Sequence, residues 1–367
     1  MTLDKIGDIA NPTLTDLTTT ALTWGTASDW DGAADEAGVV HEAFGPYPAA
    51  DQIQLGYPSF DRGGSGEVLY WTLDEASGDA IDHFNSNDGT VSGFTRGGTG
   101  LHNGDCMIAD SDSDEVEASN SASMDWETTN EITIAIWYRP ATGSSSNYPR
   151  LCPRDDQEGG TAQVWQLLYD DSSSQYGWRV WASNSPAGDI NVTSVNFGSW
   201  DFVCGRWDGS DVILDVNGTK YALSSPGGSL PSNSEPFQIG FSDNGAAAFG
   251  RYGMVRAYDR ALSDAEVTAL YDAGTGGYLE SATKSVGSQI QPDITDVQYT
   301  LNGESIDLKV IGSPGTASEE IVTQSLTGAA SYTLTWSNSH SDFRVRPEFS
   351  TSTVETSPIF NSVTIEA

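Results

Sequence analysis

The chain has 367 residues and a formal net charge of −36, from 16 Lys+Arg against 52 Asp+Glu. No basic stripe is available to replace the counterions of a phosphate backbone, so nucleic-acid binding is excluded as a function class. High charge with few aliphatics points to disorder, but 11 Trp, 14 Tyr and 12 Phe argue for a folded chain with an aromatic core. The length allows two or three domains. Acid is spread along the whole sequence and lysine is avoided, which reads as a surface suited to molar salt. There the Debye length is about 3 Å and like charges hardly repel. The source expected on this ground is a halophile or a virus that infects one.

In chain order, residues 1–65 come first, rich in Thr, Ala, Gly and Asp, with three prolines in GPYPAADQIQLGYPSF. The expectation is an extended arm that docks on another protein. No basic-then-apolar leader and no run of about 18 apolar residues is seen, so neither export nor membrane insertion is expected. Residues 66–280 read as many short strands separated by Gly-rich turns, the pattern of a sandwich. Glu131–Tyr138 (EITIAIWY) places Ile132, Ile134 and Ile136 on one face. Trp200–Trp207 and Asp211–Val216 follow, and Asn217-Gly218 is a tight hairpin signal. Ser263–Tyr271 predicts a short helix with a capping box between Ser263 and Glu266, a staple of Leu262 on Val267, and a buried stripe of Val267 and Leu270. Residues 281–291 read as a polar linker. Residues 292–367 alternate again and predict a small, separate Ig-like or fibronectin-type β-sandwich, with Asn302-Gly303 as a hairpin. Cys106, Cys152 and Cys204 allow at most one disulfide, and Cys204 reads as a small buried strand residue.

Over about residues 69–280 the sequence resembles the laminin-G-like, concanavalin A-like jelly-roll family. The carriers are LYWTLDEASGDAIDHFNSNDGTVSG (69–93), IADSDSDEVEAS (108–119), EITIAIWYRP (131–140), WDFVCGRWDGSDVILDVNGT (200–219) and GRYGMVRAYDRALSDAEVTALYDAG (250–274). The resemblance implies an all-β fold, a jelly-roll sandwich between the arm and the C-terminal sandwich. It says little about function, because this fold serves many tasks. The sequence departs from the family in its closing strand. Gly253 and Met254 stand where relatives commonly carry Asp-Glu, a carboxylate that supports their bound calcium.

Asp82, Asn85, Asn87 and Asp88 fall within seven residues and supply the oxygens that Ca²⁺ prefers. They are the candidate ligands of a structural Ca²⁺. Asp110, Asp112 and Asp114 share one face if their segment is a strand. Trp165 and Tyr169 share a strand face, as do Arg179 and Trp181 on the next, and these four are the candidate ligand-binding residues, chosen because sugar sites pair aromatic faces with polar groups. Glu115 and Glu117 also share a face but lack the string of acids found in glucanase relatives, so no catalysis is expected. The four histidines read as surface or turn residues. Asn191 and Asn217 open the N-x-T sequons.

Together these features predict a non-enzymatic structural protein on the surface of a haloarchaeal tailed virus, as a head decoration, spike, turret or tail-fibre component. Its expected partners are other virion proteins through the arm and host surface glycans. Its expected state is a symmetric trimer or pentamer. A secreted or cell-surface carbohydrate-binding adhesin of a halophilic archaeon is the second expectation, and a polysaccharide-degrading enzyme the third.

Overall fold

The apolar run in Ile132–Pro140 becomes the middle of an eight-stranded sheet. One edge of this strand pairs with Asp201–Trp207, from Ile132 opposite Trp207 to Tyr138 opposite Asp201, and the other pairs with Gly250–Tyr258. Asp211–Val216 and Thr219–Ser224 extend the sheet on one side. Glu67–Trp71, Met107–Ala109 and Thr95–Arg96 extend it on the other. The computed structural model describes residues 66–101, 104–144, 149–154, 163–183, 185–193, 195–224, 227–241, 246–272, 276–281, 283–351 and 359–366, and the strands Ala21–Trp24, Asp35–Ala37, Val39–Val40 and Ile53–Leu55.

The facing layer has a four-stranded sheet, in the order Arg150–Arg154, Trp165–Asp170, Gln175–Ala182 and Ser185–Val192. It also has a three-stranded sheet of Phe237–Gly240, Glu115–Ala118 and Thr90–Ser92. All pairings are antiparallel. The two layers close on a core of Ile132, Ile134, Ile136, Trp165, Leu167, Trp178, Val180 and Phe237, among others. Trp178 crosses the interior and donates its indole N–H to Arg206 O at 2.9 Å. It lies against Gly205, where a Cβ would stand 2.4 Å from the indole. Only glycine lets the two layers approach there.

The ends of the sandwich use aromatics differently. At one end Trp126 packs edge-on to Trp165 and lies near-parallel to Phe237. At the other, Tyr138, Tyr169, Tyr176 and Tyr252 form a cluster whose hydroxyls reach outward to the loops. Tyr138 donates to Phe249 O, Tyr169 to Ala141 O at 3.0 Å, and Tyr252 to Ala248 O at 2.7 Å. Tyr176 donates to Asp201 at 2.8 Å. Tyrosine suits this place because its ring is apolar and its tip needs a polar partner.

The local signals at Asn217-Gly218 and Ser263 form as expected. Asn217 and Gly218 have φ of 49° and 75°, the left-handed pair of a type I′ hairpin. Ser263 and Glu266 exchange bonds at the start of the Asp264–Asp272 helix, with Ser263 N–H donating to Glu266 at 2.7 Å and Glu266 N–H to Ser263 Oγ at 3.3 Å. Leu262, Val267 and Leu270 are buried. All three cysteines are free and buried.

Contacts divide the chain into residues 59–271 and a second unit of residues 1–58 with 272–367. The second unit is also a two-sheet sandwich, around Ile294, Val297, Ile306, Leu308, Val310, Phe343, Val345, Phe360 and Val363. Its sheets differ from the expectation in three places. The four strands placed before residue 56 join its sheets, with Ala21–Trp24 pairing with Ile359–Glu366 and Asp35–Ala37 with Gly276–Glu280. The rest of the expected arm lies outside the described residues. The expected linker contains the strand Lys284–Ile290 on His340–Ser350, because Val286 and Ile290 give that polar run two apolar anchors. Asn302-Gly303 makes its turn but no hairpin. The strands beside it pair into different sheets, so the turn carries the chain from one layer to the other.

Candidate functional site

The acidic turn is tied to its own backbone. Asp82 Oδ1 accepts the N–H groups of Tyr70 and Phe84, each at 3.0 Å, and its Oδ2 accepts that of Asn87 at 3.0 Å. Asp88 Oδ1 accepts Asp82 N–H at 2.8 Å. The amides of Asn85 and Asn87 both donate to Val68 O, and Asn87 Oδ1 accepts the Ser121 hydroxyl at 2.8 Å. The structure thus brings Asp82, Asn85, Asn87 and Asp88 together in one turn, where their side chains bond to neighbouring N–H groups and to Val68 O. Among the described residues no group of three His, Cys, Asp or Glu is placed to hold a metal.

Asp110, Asp112 and Asp114 form a tight turn and not a strand face. Asp114 is buried and accepts the N–H groups of Asp110 and Ser111 at 2.8 Å each. At the departure in the closing strand, a Cβ on Gly253 would meet Leu101 at 2.9 Å and Trp200 at 3.0 Å. That position is used for packing.

The four aromatic-strand residues separate into two pairs. Trp165 and Tyr169 share a face, as their spacing predicts, but it is the core face, and both are fully buried. The facing sheet covers them, so their assignment as ligand residues is corrected. Arg179 and Trp181 lie on the opposite, outer face of the same sheet. Arg179 is half-buried and donates from Nε and Nη2 to one oxygen of Asp189, at 3.1 and 2.5 Å. Its guanidinium lies 5.7 Å from the centre of the Trp181 ring, which is 8 % exposed. Asn191 donates to the other Asp189 oxygen at 3.1 Å. Strand register puts Asp189 opposite Arg179 and Asn191 opposite Gly177. Asp189 and Asn191 were missed in the sequence, although their i, i+2 spacing across the hairpin from Arg179 is a legible cross-strand signal.

This outer face thus offers a fixed chain of Arg, Asp and Asn groups beside an indole. Its planar donors and acceptors match vicinal hydroxyls. Glu117, by contrast, accepts from Gln238 at 3.0 Å across its own sheet. Asn191 is exposed, whereas Asn217 is engaged, its Nδ2 donating to Asp201 at 2.7 Å and its Oδ1 accepting Phe202 N–H at 2.8 Å. The histidines also separate. His83 is half-buried against Thr72. His340 is 1 % exposed between Glu320 and Ser313, a correction caused by packing against Trp336 and Phe343. His41 and His102 lie outside the described residues.

Residues 110–268 match the model of the family described as the concanavalin A-like lectin/glucanases superfamily. No curated protein matches the chain. Among solved structures, Trypanosoma rangeli sialidase in complex with the inhibitor DANA is similar at 13% identity and a TM-score of 0.43. The match covers 55% of this chain and 32% of the sialidase, so the chain spans about a third of that protein's length. Domain 4 of AbnA, a GH43 extracellular arabinanase from Geobacillus stearothermophilus, in complex with arabinotriose, is similar at 13% identity and a TM-score of 0.43, over 57% of this chain and 100% of that one. The CBM40 of Ruminococcus gnavus IT-sialidase bound to alpha2,3 sialyllactose is similar at 14% identity and a TM-score of 0.37, over 45% and 95%. Strand layout and family match together make the central unit a concanavalin A-like β-sandwich.

Proposed function

We propose that the protein is a non-enzymatic, carbohydrate-binding display protein at the outer surface of a virus of a halophilic archaeon. The observation that carries the binding reading is the outer-face constellation of Arg179, Asp189, Asn191 and Trp181. It is polar, pre-bonded, and set on strands and not loops, so little ordering is needed when a sugar docks. The lectin/glucanase family match over residues 110–268 supports the same reading. A net charge of −36 supports a working medium of high salt. The non-enzymatic part is supported by Glu117, whose carboxylate accepts a bond from Gln238 across its own sheet.

Glycan-array binding in molar salt tests the sugar reading. The wild type is expected to bind, and Arg179→Ala to lose the signal without loss of fold. Equal signals from both proteins, or none from the wild type, would remove the outer face as the site. Mass spectrometry of purified virus particles against cell envelopes tests the location, and recovery only from envelopes would overturn the viral part.

A further inference from the structure

One edge of the eight-stranded sheet is the strand Thr219–Ser224, which pairs with Asp211–Val216 alone among the described residues. All six of its residues are exposed. Tyr221 and Leu223 lie opposite Leu214 and Val212, on the core side of the sheet, yet they are 37 % and 42 % exposed while those two are fully buried. The two-residue turn at Asn217-Gly218 makes Val216 and Thr219 a hydrogen-bonded pair, and the ladder alternates from there. The backbone N–H and C=O groups of Lys220, Ala222 and Ser224 therefore face away from the sheet.

Open edges in folded proteins are guarded by charge, proline, bulges or shortness. Two other edges of the sandwich follow this rule. Ser185–Val192 carries Pro186 and Asp189, and its pairing shifts register between Val180 and Trp181. Thr95–Arg96, at the far edge of the eight-stranded sheet, is two residues long. Thr219–Ser224 reads TKYALS, with no proline and no acid in a chain that has 52 acids. Its one charge, Lys220, is turned to the Asp264–Asp272 helix, with Nζ 2.9 Å from both carboxylate oxygens of Asp264.

We propose that Thr219–Ser224 docks a second copy of this chain, paired antiparallel about a two-fold axis at Ala222. An axis there engages all three outward-facing residues of each copy, and moving it by one residue in either direction leaves one of them without a strand partner. The same register sets Tyr221 against Leu223 of the second copy, twice by symmetry, and Lys220 against Ser224, so no like charges meet. A chain of charge −36 repels its own copy wherever two acidic surfaces meet, and an acid-free edge lowers that cost. Such a contact closes as a pair, and a trimer or pentamer would need a further one. It is separate from the outer face around Arg179 and does not depend on sugar binding there.

Sedimentation of the full-length protein over a concentration series in molar salt reads the state. Wild type is expected to be a concentration-dependent dimer that weakens as salt is lowered and the charges are less screened. Ala222→Pro removes an outward N–H at an edge position, where proline is tolerated, and is expected to weaken the dimer at least about tenfold. Tyr221→Glu, at an exposed position, is expected to do the same and decides the matter if Ala222→Pro fails to fold. Ala222→Cys is expected to give a disulfide-linked dimer on mild oxidation, since the axis sets the two Cα atoms about 5.5 Å apart. Lys220→Cys is not, because the two copies of that position stand more than about 13 Å apart along the strands. The three native cysteines are buried and do not compete. A wild type that is monomeric at every concentration, an oligomer left unchanged by both Ala222→Pro and Tyr221→Glu, or equal cross-linking of the two cysteine variants would overturn the proposal.

Discussion

The two sheets of the central sandwich treat their outer faces in opposite ways. The Ile132–Pro140 strand is buried on both sides. Its isoleucines face the core, while Trp137 on the other face is 1 % exposed and lies near-parallel to Tyr271 of the Asp264–Asp272 helix, ring centres 6.0 Å apart. Phe202 joins that outer layer at 5.4 Å from Trp137. The Gln175–Ala182 strand is covered on its core face by the same interior, but its other face carries Arg179 toward the exposed Asp189 and Asn191. A strand that is apolar throughout needs cover on both sides, and an alternating strand leaves one side for chemistry. The outer face of one sheet therefore serves stability, and that of the other is available for recognition.

Substitutions on the two outer faces, with references in the core and at the helix cap, test this contrast. Trp137→Ala removes a buried indole between the sheet and the helix and is expected to cost about 3–5 kcal/mol, read by denaturant unfolding. Gly205→Ala forces a methyl into the Trp178 indole and is expected to cost about 1–3 kcal/mol, with a matching change in near-ultraviolet dichroism. Ser263→Ala removes the helix cap and is expected to cost about 1 kcal/mol. Arg179→Ala, on the open face, is expected to change stability by no more than about 0.5 kcal/mol while abolishing glycan binding. If Arg179→Ala destabilises as much as Trp137→Ala, the two faces are not different in kind.

The helix cap also sets a pH dependence. The Arg260 guanidinium, at 2.7 Å, holds the Glu266 carboxyl down to about 2, helped by the Ser263 N–H and hydroxyl. Because the folded pKa lies below the unfolded one, this stabilisation is present above about pH 4.5 and is lost as the pH falls toward 2. Acid unfolding of Glu266→Gln should be shallower than that of wild type across that window. Identical acid transitions would mean that the pair contributes nothing.

Much of this architecture was legible because local signals and tertiary demands agree. Ile132–Pro140, the Asn217-Gly218 hairpin and the Ser263 cap each needed only neighbours in sequence. Period-two spacing likewise put Trp165 with Tyr169 and Arg179 with Trp181 on common faces. Which face points inward is set by the opposing sheet, so the burial of Trp165 and Tyr169 was not written in their own strand. The bonds of the acidic turn were illegible for a different reason. Asp82 has the composition of a cation ligand, but a carboxylate also satisfies turn N–H groups, and the paths of Tyr70, Phe84 and Asn87 bring three such groups to it. The Lys284–Ile290 strand was hidden because two apolar residues suffice once a sheet edge is waiting.

The tyrosine end of the sandwich has an evolutionary consequence. Tyr138, Tyr169 and Tyr252 hold their loops by backbone carbonyls, those of Phe249, Ala141 and Ala248. A carbonyl is present whatever side chain occupies the position. The anchors therefore sit in the scaffold, and the side chains of exposed Ala141 and half-buried Phe249 can be exchanged without losing them, whereas Ala248 is itself part of the core. Mutational drift is cheap at this end of the molecule, and new surface specificities can be tried there while the fold is left as it is.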